Sequence, residues 1–118
     1  MIVERSHSRV APRTFRGFSV QASVDERYFA AELGNISENG LCLLIPGRVK
    51  VREHDNIEGL VQASHLNVRL EFNGRVAWTA VATRSSRDLT LIGVEFSEEI
   101  ELPTSLIALG MAADEFDV

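Results

Sequence analysis

The chain has 118 residues, which is the size of one typical domain. Its hydrophobic fraction of 45% and charged fraction of 25% are average for globular proteins and argue against a disordered chain. The net charge of −5 argues against general binding to DNA or RNA, because phosphate backbones repel an acidic protein.

The sequence shows neither a membrane-spanning stretch nor a secretion signal. No run approaches roughly 20 consecutive apolar residues, and residues 1–5 lack an apolar core with a cleavage site. We therefore expect a cytoplasmic protein without membrane insertion.

Cys42 is the only cysteine, and His7, His54 and His65 show no ligand spacing with it or with each other. A disulfide framework is excluded, and we expect no metal site.

The first sixteen residues differ in composition from the rest of the chain. They are polar, have no helical apolar period, and carry four arginines: Arg5, Arg9, Arg13 and Arg16. We predict that residues 1–16 form a flexible arginine-rich arm and that residues 17–118 form the folded domain.

Alternation of apolar and polar residues predicts strands in the first half of the domain. Residues 18–24 alternate strictly, and the polar turn 25–27 separates them from a second candidate at 28–33. The pair Asn39-Gly40 then offers the positive φ angles that are favoured in a tight hairpin. Residues 41–45 form the returning strand.

The second half continues this pattern and ends in a helix. A fourth strand is predicted around Ile57, Leu60 and Val61. Residues 68–72 and 76–80 alternate on either side of Asn73-Gly74, which is either a hairpin turn or a bulge in one long strand. Residues 89–96 supply the last strand. After Glu101, four residues recur at helical spacing, and Pro103 suits the first turn of a helix: Leu102, Leu106, Leu109 and Ala113. The predicted fold is mainly β, a small six-stranded antiparallel barrel with a short C-terminal helix.

Two motifs carry the chemistry. Arg5, Arg9 and Arg13 form overlapping Arg-x-x-x-Arg pairs, and residues 35–40 read Asn-Ile-Ser-Glu-Asn-Gly, an Asn-x-Ser-x-x-Gly pattern. Together they resemble the PilZ family, whose signature joins an Arg-x-x-x-Arg arm to Asp/Asn-x-Ser-x-x-Gly. The segments Gly-Arg-Val-Ala-Trp at 74–78 and Ile-Gly-Val-Glu-Phe at 92–96 also resemble strands of that family.

The resemblance implies a site for cyclic di-GMP. Its residues would be Arg9, Arg13, Asn35, Ser37 and Gly40, with Arg5 assisting and Trp78 as a neighbour of the ligand. A guanidinium group pairs with phosphate or with the guanine O6/N7 edge and also stacks on bases. The amide of Asn35 and the hydroxyl of Ser37 supply donors and acceptors for a guanine edge. Gly40 allows a backbone conformation or a close approach that a Cβ would obstruct.

The arginine pair that contacts the ligand stays open at this point. Arg5 and Arg9 fit because Val10 follows them, as is often seen in the family. Arg9 and Arg13 fit because the distance from Arg13 to Asn35 is closer to the short family spacing, and we favour this pair. The family often has adjacent arginines before the pair, whereas here Glu4 precedes Arg5.

The implied function is that of a receptor or adaptor that couples cyclic di-GMP to a protein partner of unknown identity. By family resemblance, the process would be motility, biofilm or exopolysaccharide control. We expect no enzymatic activity and no cofactor, because no nucleophile elbow, P-loop or Rossmann glycine pattern occurs in the sequence. The alternatives are a PilZ-like protein-interaction adaptor that has lost nucleotide binding, and a nucleic-acid-binding barrel of OB or cold-shock type.

Overall fold

The computed structural model describes residues 17–106, and six strands in this range close into an antiparallel barrel. The strands are β1 (Ser19–Val24), β2 (Arg27–Ile36), β3 (Gly40–Pro46), β4 (Asn56–Ala63), β5 (Val68–Arg84) and β6 (Arg87–Phe96). Their order around the barrel is β1-β2-β3-β6-β5-β4, with β4 returning to pair with β1. A short 3-10 helix, Ser64–Leu66, which the sequence patterns did not predict, joins β4 to β5. The predicted fold class is confirmed.

Alternating apolar side chains from the strands fill the interior of the barrel. Leu43, Val61, Val76 and Ile92, which come from four different strands, are completely buried. Burying such a side chain contributes roughly 1.5–3 kcal/mol. The apolar residues that make the period-2 pattern therefore also supply most of the stability of the barrel. The opposite face of each strand is left for solvent and for ligands.

Two hairpins turn through paired residues with left-handed backbone angles. Asp25 and Glu26 join β1 to β2 with φ angles of 51° and 66°, and Ser85 and Ser86 join β5 to β6 with φ angles of 53° and 66°. Positive φ at both central positions is the geometry whose twist matches that of the flanking strands. Both hairpins therefore use this geometry without a glycine.

The predicted positive-φ turn at Asn39-Gly40 is wrong. Strand β2 extends to Ile36 and β3 begins at Gly40, so residues 37–39 make the turn, and neither Asn39 nor Gly40 has a positive φ. Gly40 is needed for a different reason. A Cβ at this position would collide with the backbone carbonyl of Val94 in β6. Close approach of the two strands, rather than backbone conformation, requires glycine here.

The segment around Asn73-Gly74 is neither a hairpin turn nor the site of the bulge. Strand β5 runs through it without interruption for 17 residues, as in the long-strand alternative. The register shift against β6 lies between Val76 and Trp78 instead. A Cβ at Gly74 would collide with the carbonyl of Glu95, so this glycine also marks a close approach of two strands.

The described chain ends as a helix begins. Residues 104–106 are helical, directly after Pro103, and Leu106 is buried in the core. Leu109, Ala113 and the arm at 1–16 lie outside the described residues, so the remainder of the helix and the division at residue 17 stay predictions. No helix within residues 17–106 is long and apolar enough to cross a membrane.

Candidate functional site

Two of the predicted site residues lie in one row across four strands. Asn35 on β2 pairs with Cys42 on β3, Cys42 pairs with Gly93 on β6, and Gly93 pairs with Trp78 on β5. Neighbouring strands are roughly 4.8 Å apart, so the path along the curved sheet from Asn35 to Trp78 is about 14 Å. We call these four residues the four-strand row.

The four-strand row lies on the outer surface of the barrel. Its members alternate along their strands with core residues, such as Leu41 and Leu43 on either side of Cys42. Successive side chains in a strand point to opposite faces, so the side chains of the row point outward. Because the barrel is closed and β2 and β5 are three strands apart in it, the row curves around the outside of the barrel from Asn35 to Trp78.

Trp78 lies at one end of this surface and is packed against its neighbour in the row. Its side chain is 38% exposed, and a Cβ on Gly93 would overlap the indole ring. The absence of a side chain at Gly93 is what lets the ring lie against β6. One part of the indole is thus fixed by packing, while the rest is available for contact with a ligand.

Ser37 shapes the turn that follows Asn35. Its backbone N–H donates to the carbonyl of Gly40 at 2.8 Å, and its hydroxyl oxygen accepts a hydrogen bond from the N–H of Asn39 at 3.2 Å. The hydroxyl also donates to the carbonyl of Gly40 at 3.4 Å, which is long for an O–H donor. The hydroxyl proton can therefore be redirected to a ligand at little cost, while the oxygen keeps the turn in place.

Backbone hydrogen bonds from β6 and the segment after it hold the same turn. Phe96 donates its N–H to the carbonyl of Asn39 at 2.8 Å, and Ile100 donates its N–H to the carbonyl of Glu38 at 2.9 Å. The turn is therefore positioned by two separate segments, although its side chains at 37–39 are exposed. Asn35 is half-buried at the base of this turn.

Cys42 is an unreactive part of the row. Burial raises the pKa of its thiol from 9.0 to about 11, so the group is neutral at physiological pH. Its Sγ atom lies 3.9 Å from the carbonyl oxygen of Leu43. A neutral thiol between Asn35 and Gly93 gives the middle of the row an apolar character, which suits the face of a base.

Charge is distributed unequally between the two sides of the barrel. Beside the row, the guanidinium of Arg84 pairs with the carboxylate of Glu32, with its closest N–O distance at 3.1 Å. An open groove of about 510 Å³ on the side formed by β1, β4 and β5 is lined by Glu58 and Glu71 and by no basic residue. That groove does not suit a ligand with two phosphates, whereas the row carries no unpaired carboxylate of its own.

The chain enters the barrel at the end where the turn 37–39 lies. Val20 pairs with Ala31, and β1 and β2 are antiparallel, so the start of β1 lies beside the end of β2. Just before β1, Phe18 packs its ring edgewise on His65 with ring centroids 5.8 Å apart. Residue 17 therefore lies beside His65, at the same end of the barrel as the carboxyl end of β2.

The structure brings some predicted residues together and leaves others undetermined. Asn35 and Trp78 share the row, and Ser37 and Gly40 form the adjoining turn. The three arginines of the predicted site lie outside the described residues: Arg5, Arg9 and Arg13.

Sequence reasoning did not select Cys42 or Gly93. An isolated glycine in a strand pattern indicates a close approach, so Gly93 carried a usable signal. Within residues 17–106, no three His, Cys, Asp or Glu side chains are grouped to hold a metal ion.

Comparisons with known proteins agree with this architecture. The crystal structure of the Borreliella burgdorferi PlzA protein in complex with c-di-GMP superposes with a TM-score of 0.59 at 11% sequence identity. The match covers 93% of this chain and 49% of the PlzA chain, so the present chain spans about half the length of that protein. No curated protein matched the sequence. The PilZ domain family matches residues 4–109, a range that includes the three arginines, the turn and Trp78. The chain therefore belongs to the PilZ domain family.

Proposed function

We propose that this chain is a cyclic di-GMP receptor that binds the nucleotide over the four-strand row and the turn 37–39. The geometry of the row carries the proposal: an amide at one end, an indole at the other and a neutral surface between them. A guanine can hydrogen-bond to Asn35 and Ser37 while an apolar face receives its ring. Membership of the PilZ domain family and the c-di-GMP bound to PlzA support the choice of ligand.

The arginines of the amino-terminal segment would supply the positive charge that the row lacks. A four-residue connection spans at most about 14 Å, and of the three arginines Arg13 has the shortest connection to residue 17. Arg9 lies four residues before Arg13, and Arg5, four residues earlier still, has the longest connection. We therefore assign Arg9 and Arg13 to the phosphates or the guanine edges, with Arg5 assisting.

Binding would act by changing a surface rather than by catalysis. When arginines of the segment contact a nucleotide on the row, the segment and the ligand together cover a different part of the barrel. We propose that a protein partner in the cytoplasm recognises one of the two surfaces, in control of motility, biofilm or exopolysaccharide. The ligand is the signal and no cofactor is required.

Calorimetric titration with cyclic di-GMP tests this function directly. Each charge-assisted hydrogen bond contributes roughly 1.5–3 kcal/mol, so Arg9→Ala or Arg13→Ala should raise Kd by about ten- to a hundredfold, and the double variant should not bind. Arg52→Ala, which removes an exposed arginine from the connection between β3 and β4, serves as the matched control. A folded parent protein that gives no heat with cyclic di-GMP would refute the proposal.

Fluorescence gives an independent test of the position of the ligand. Trp78 is the only tryptophan in the chain, so its emission reports on the row alone. A base that stacks on the exposed part of the indole should quench this emission in parallel with the heat of binding. Binding that leaves the emission unchanged would remove Trp78 from the site.

A PilZ adaptor without nucleotide binding is the second candidate. One observation favours it: Glu4 precedes the first arginine, at a position where the family often has adjacent arginines. For this candidate, cyclic di-GMP at millimolar concentration should leave the melting temperature unchanged. An upward shift that depends on ligand concentration would exclude it.

A further inference from the structure

The ion pair between Glu32 and Arg84 joins β2 to the end of β5 across the outer face of the barrel. Glu32 pairs with Leu44 on β3, and this second row continues through Leu91 on β6 to Ala80 on β5. Arg84 lies four residues beyond Ala80, on the same face of β5. In a flat sheet, the Cα atoms of Glu32 and Arg84 would be roughly 20 Å apart, which is more than the two side chains can span. The twist of the sheet therefore makes its outer face concave along this diagonal, with the ion pair above it.

The burial of the residues between the two charges agrees with this shape. Leu44 points outward and is not part of the barrel core, yet it is only 7% exposed, and Leu91 is half-buried. Leu44 lies two residues after Cys42, so the second row is roughly 7 Å from the four-strand row. Glu32 and the guanidinium that it holds therefore lie beside the Asn35 end of the four-strand row.

The ion pair occupies only one edge of the guanidinium group. Nη1 and Nη2 of Arg84 donate to the two carboxylate oxygens of Glu32, at 3.5 Å and 3.1 Å. Within residues 17–106, no acceptor lies within hydrogen-bonding distance of Nε, and the Arg84 side chain is 50% exposed. A guanidinium has five N–H donors in a rigid fork. Nε and the remaining N–H of Nη2 thus form a second, unoccupied edge that can bind a pair of acceptors.

We propose that this second edge of Arg84 binds the O6 and N7 atoms of a guanine at the Asn35 end of the four-strand row. The proposal rests on the proposed function and adds to it a residue that selects the base. Paired donors from arginine match O6 and N7 of guanine, whereas adenine presents an amino donor where guanine has O6. Glu32 is a positioning residue, because its carboxylate fixes the orientation of the guanidinium without touching the base. Arg9 and Arg13 then serve the phosphates and the second guanine.

Removing one acceptor from the ligand tests the contact at the level of single atoms. Calorimetric titrations compare cyclic di-GMP with an analogue in which 7-deazaguanine, which lacks N7 and keeps O6, replaces both guanines. The parent should bind the analogue about tenfold more weakly than cyclic di-GMP. Arg84→Ala should bind cyclic di-GMP about tenfold more weakly than the parent, and its loss with the analogue should fall to about threefold or less.

The other exposed ion pair of the described residues supplies the matched control. Arg48 pairs with Asp88 at 2.8 Å, away from the row. Arg48→Ala also breaks an exposed ion pair, and it should bind both ligands like the parent. Circular dichroism checks that both variants are folded.

Each other outcome overturns the proposal in a recognisable way. A parent that binds no cyclic di-GMP refutes the proposed function and this contact with it. If the parent binds and Arg84→Ala binds equally well, Arg84 does not contact the ligand, while the assignment of Arg9 and Arg13 is unaffected. If Arg84→Ala binds more weakly but loses as much with the analogue as the parent does, the guanidinium contacts a phosphate and does not select the base.

Discussion

Replacing Gly93 by alanine tests the contact that fixes the indole of Trp78. The added Cβ would overlap the ring, so the ring must move away from β6. Trp78 is 38% exposed, and a tryptophan side chain can bury up to about 250 Å², so roughly 150 Å² of its surface is covered. At about 25 cal/mol per Å², complete loss of this cover would cost roughly 4 kcal/mol. The displaced ring recovers part of its contacts, and we expect a cost of about 2 kcal/mol.

A double-mutant cycle separates this collision from other effects of the methyl group. The free energy of unfolding is measured in urea for the parent, Gly93→Ala, Trp78→Ala and the double variant. Without the indole there is nothing to displace, so Gly93→Ala should then cost less than about 0.5 kcal/mol. The tryptophan emission of the Gly93→Ala variant should also shift to longer wavelength as the ring becomes solvated. An equal cost of Gly93→Ala in both backgrounds would refute the packing argument.

Three further substitutions probe the barrel around the site. Gly40→Ala should destabilise the protein by about 3 kcal/mol in urea unfolding, because its Cβ meets the backbone carbonyl of Val94, which cannot rotate away; a cost below 1 kcal/mol would contradict the close approach. The buried hydroxyl of Thr90 bonds two backbone groups of the connection after β3, at 2.7 Å and 3.0 Å. Thr90→Val should therefore cost about 2 kcal/mol, with Thr90→Ser, which keeps the oxygen, as the milder control. The thiol of Cys42 ionises near pH 9.0 when unfolded and near pH 11 when folded, so its contribution is complete below pH 9 and is lost as the pH rises towards 11. The loss amounts to roughly 3 kcal/mol, and a Cys42→Ala variant whose alkaline stability profile is the same as that of the parent would contradict this assignment.

The sequence predicted the strands well where a strand buries one face. Alternation around Val20, Val61 and Ile92 follows directly from the barrel interior, and all three are buried as the pattern requires. The prediction failed where the outcome depends on a neighbouring strand. The bulge lies after Val76, not at Gly74, because its position is set by the pairing with β6, which local sequence does not encode.

The candidate site could be predicted only in part for the same reason. The turn motif identified Asn35 and Ser37, since these residues are close together in sequence. The four-strand row depends on the registers of three strand pairs, and the sequence alone does not fix them. Cys42 and Gly93 therefore became members of the candidate site only when the strands were assembled. Likewise, Asp25-Glu26 and Ser85-Ser86 adopt positive φ angles without the glycine that normally signals them.

The hydrogen bond from the N–H of Ile100 to the carbonyl of Glu38 joins the turn to the chain that follows β6. Glu38 lies in the middle of the turn that adjoins the row, and Ile100 lies six residues before the buried Leu106. Displacement of the turn by even 1 Å would lengthen a 2.9 Å bond beyond hydrogen-bonding distance unless the chain after β6 moved with it. The first turn of the carboxyl-terminal helix is thus mechanically linked to the turn, and a shift at one is transmitted to the other through the backbone alone.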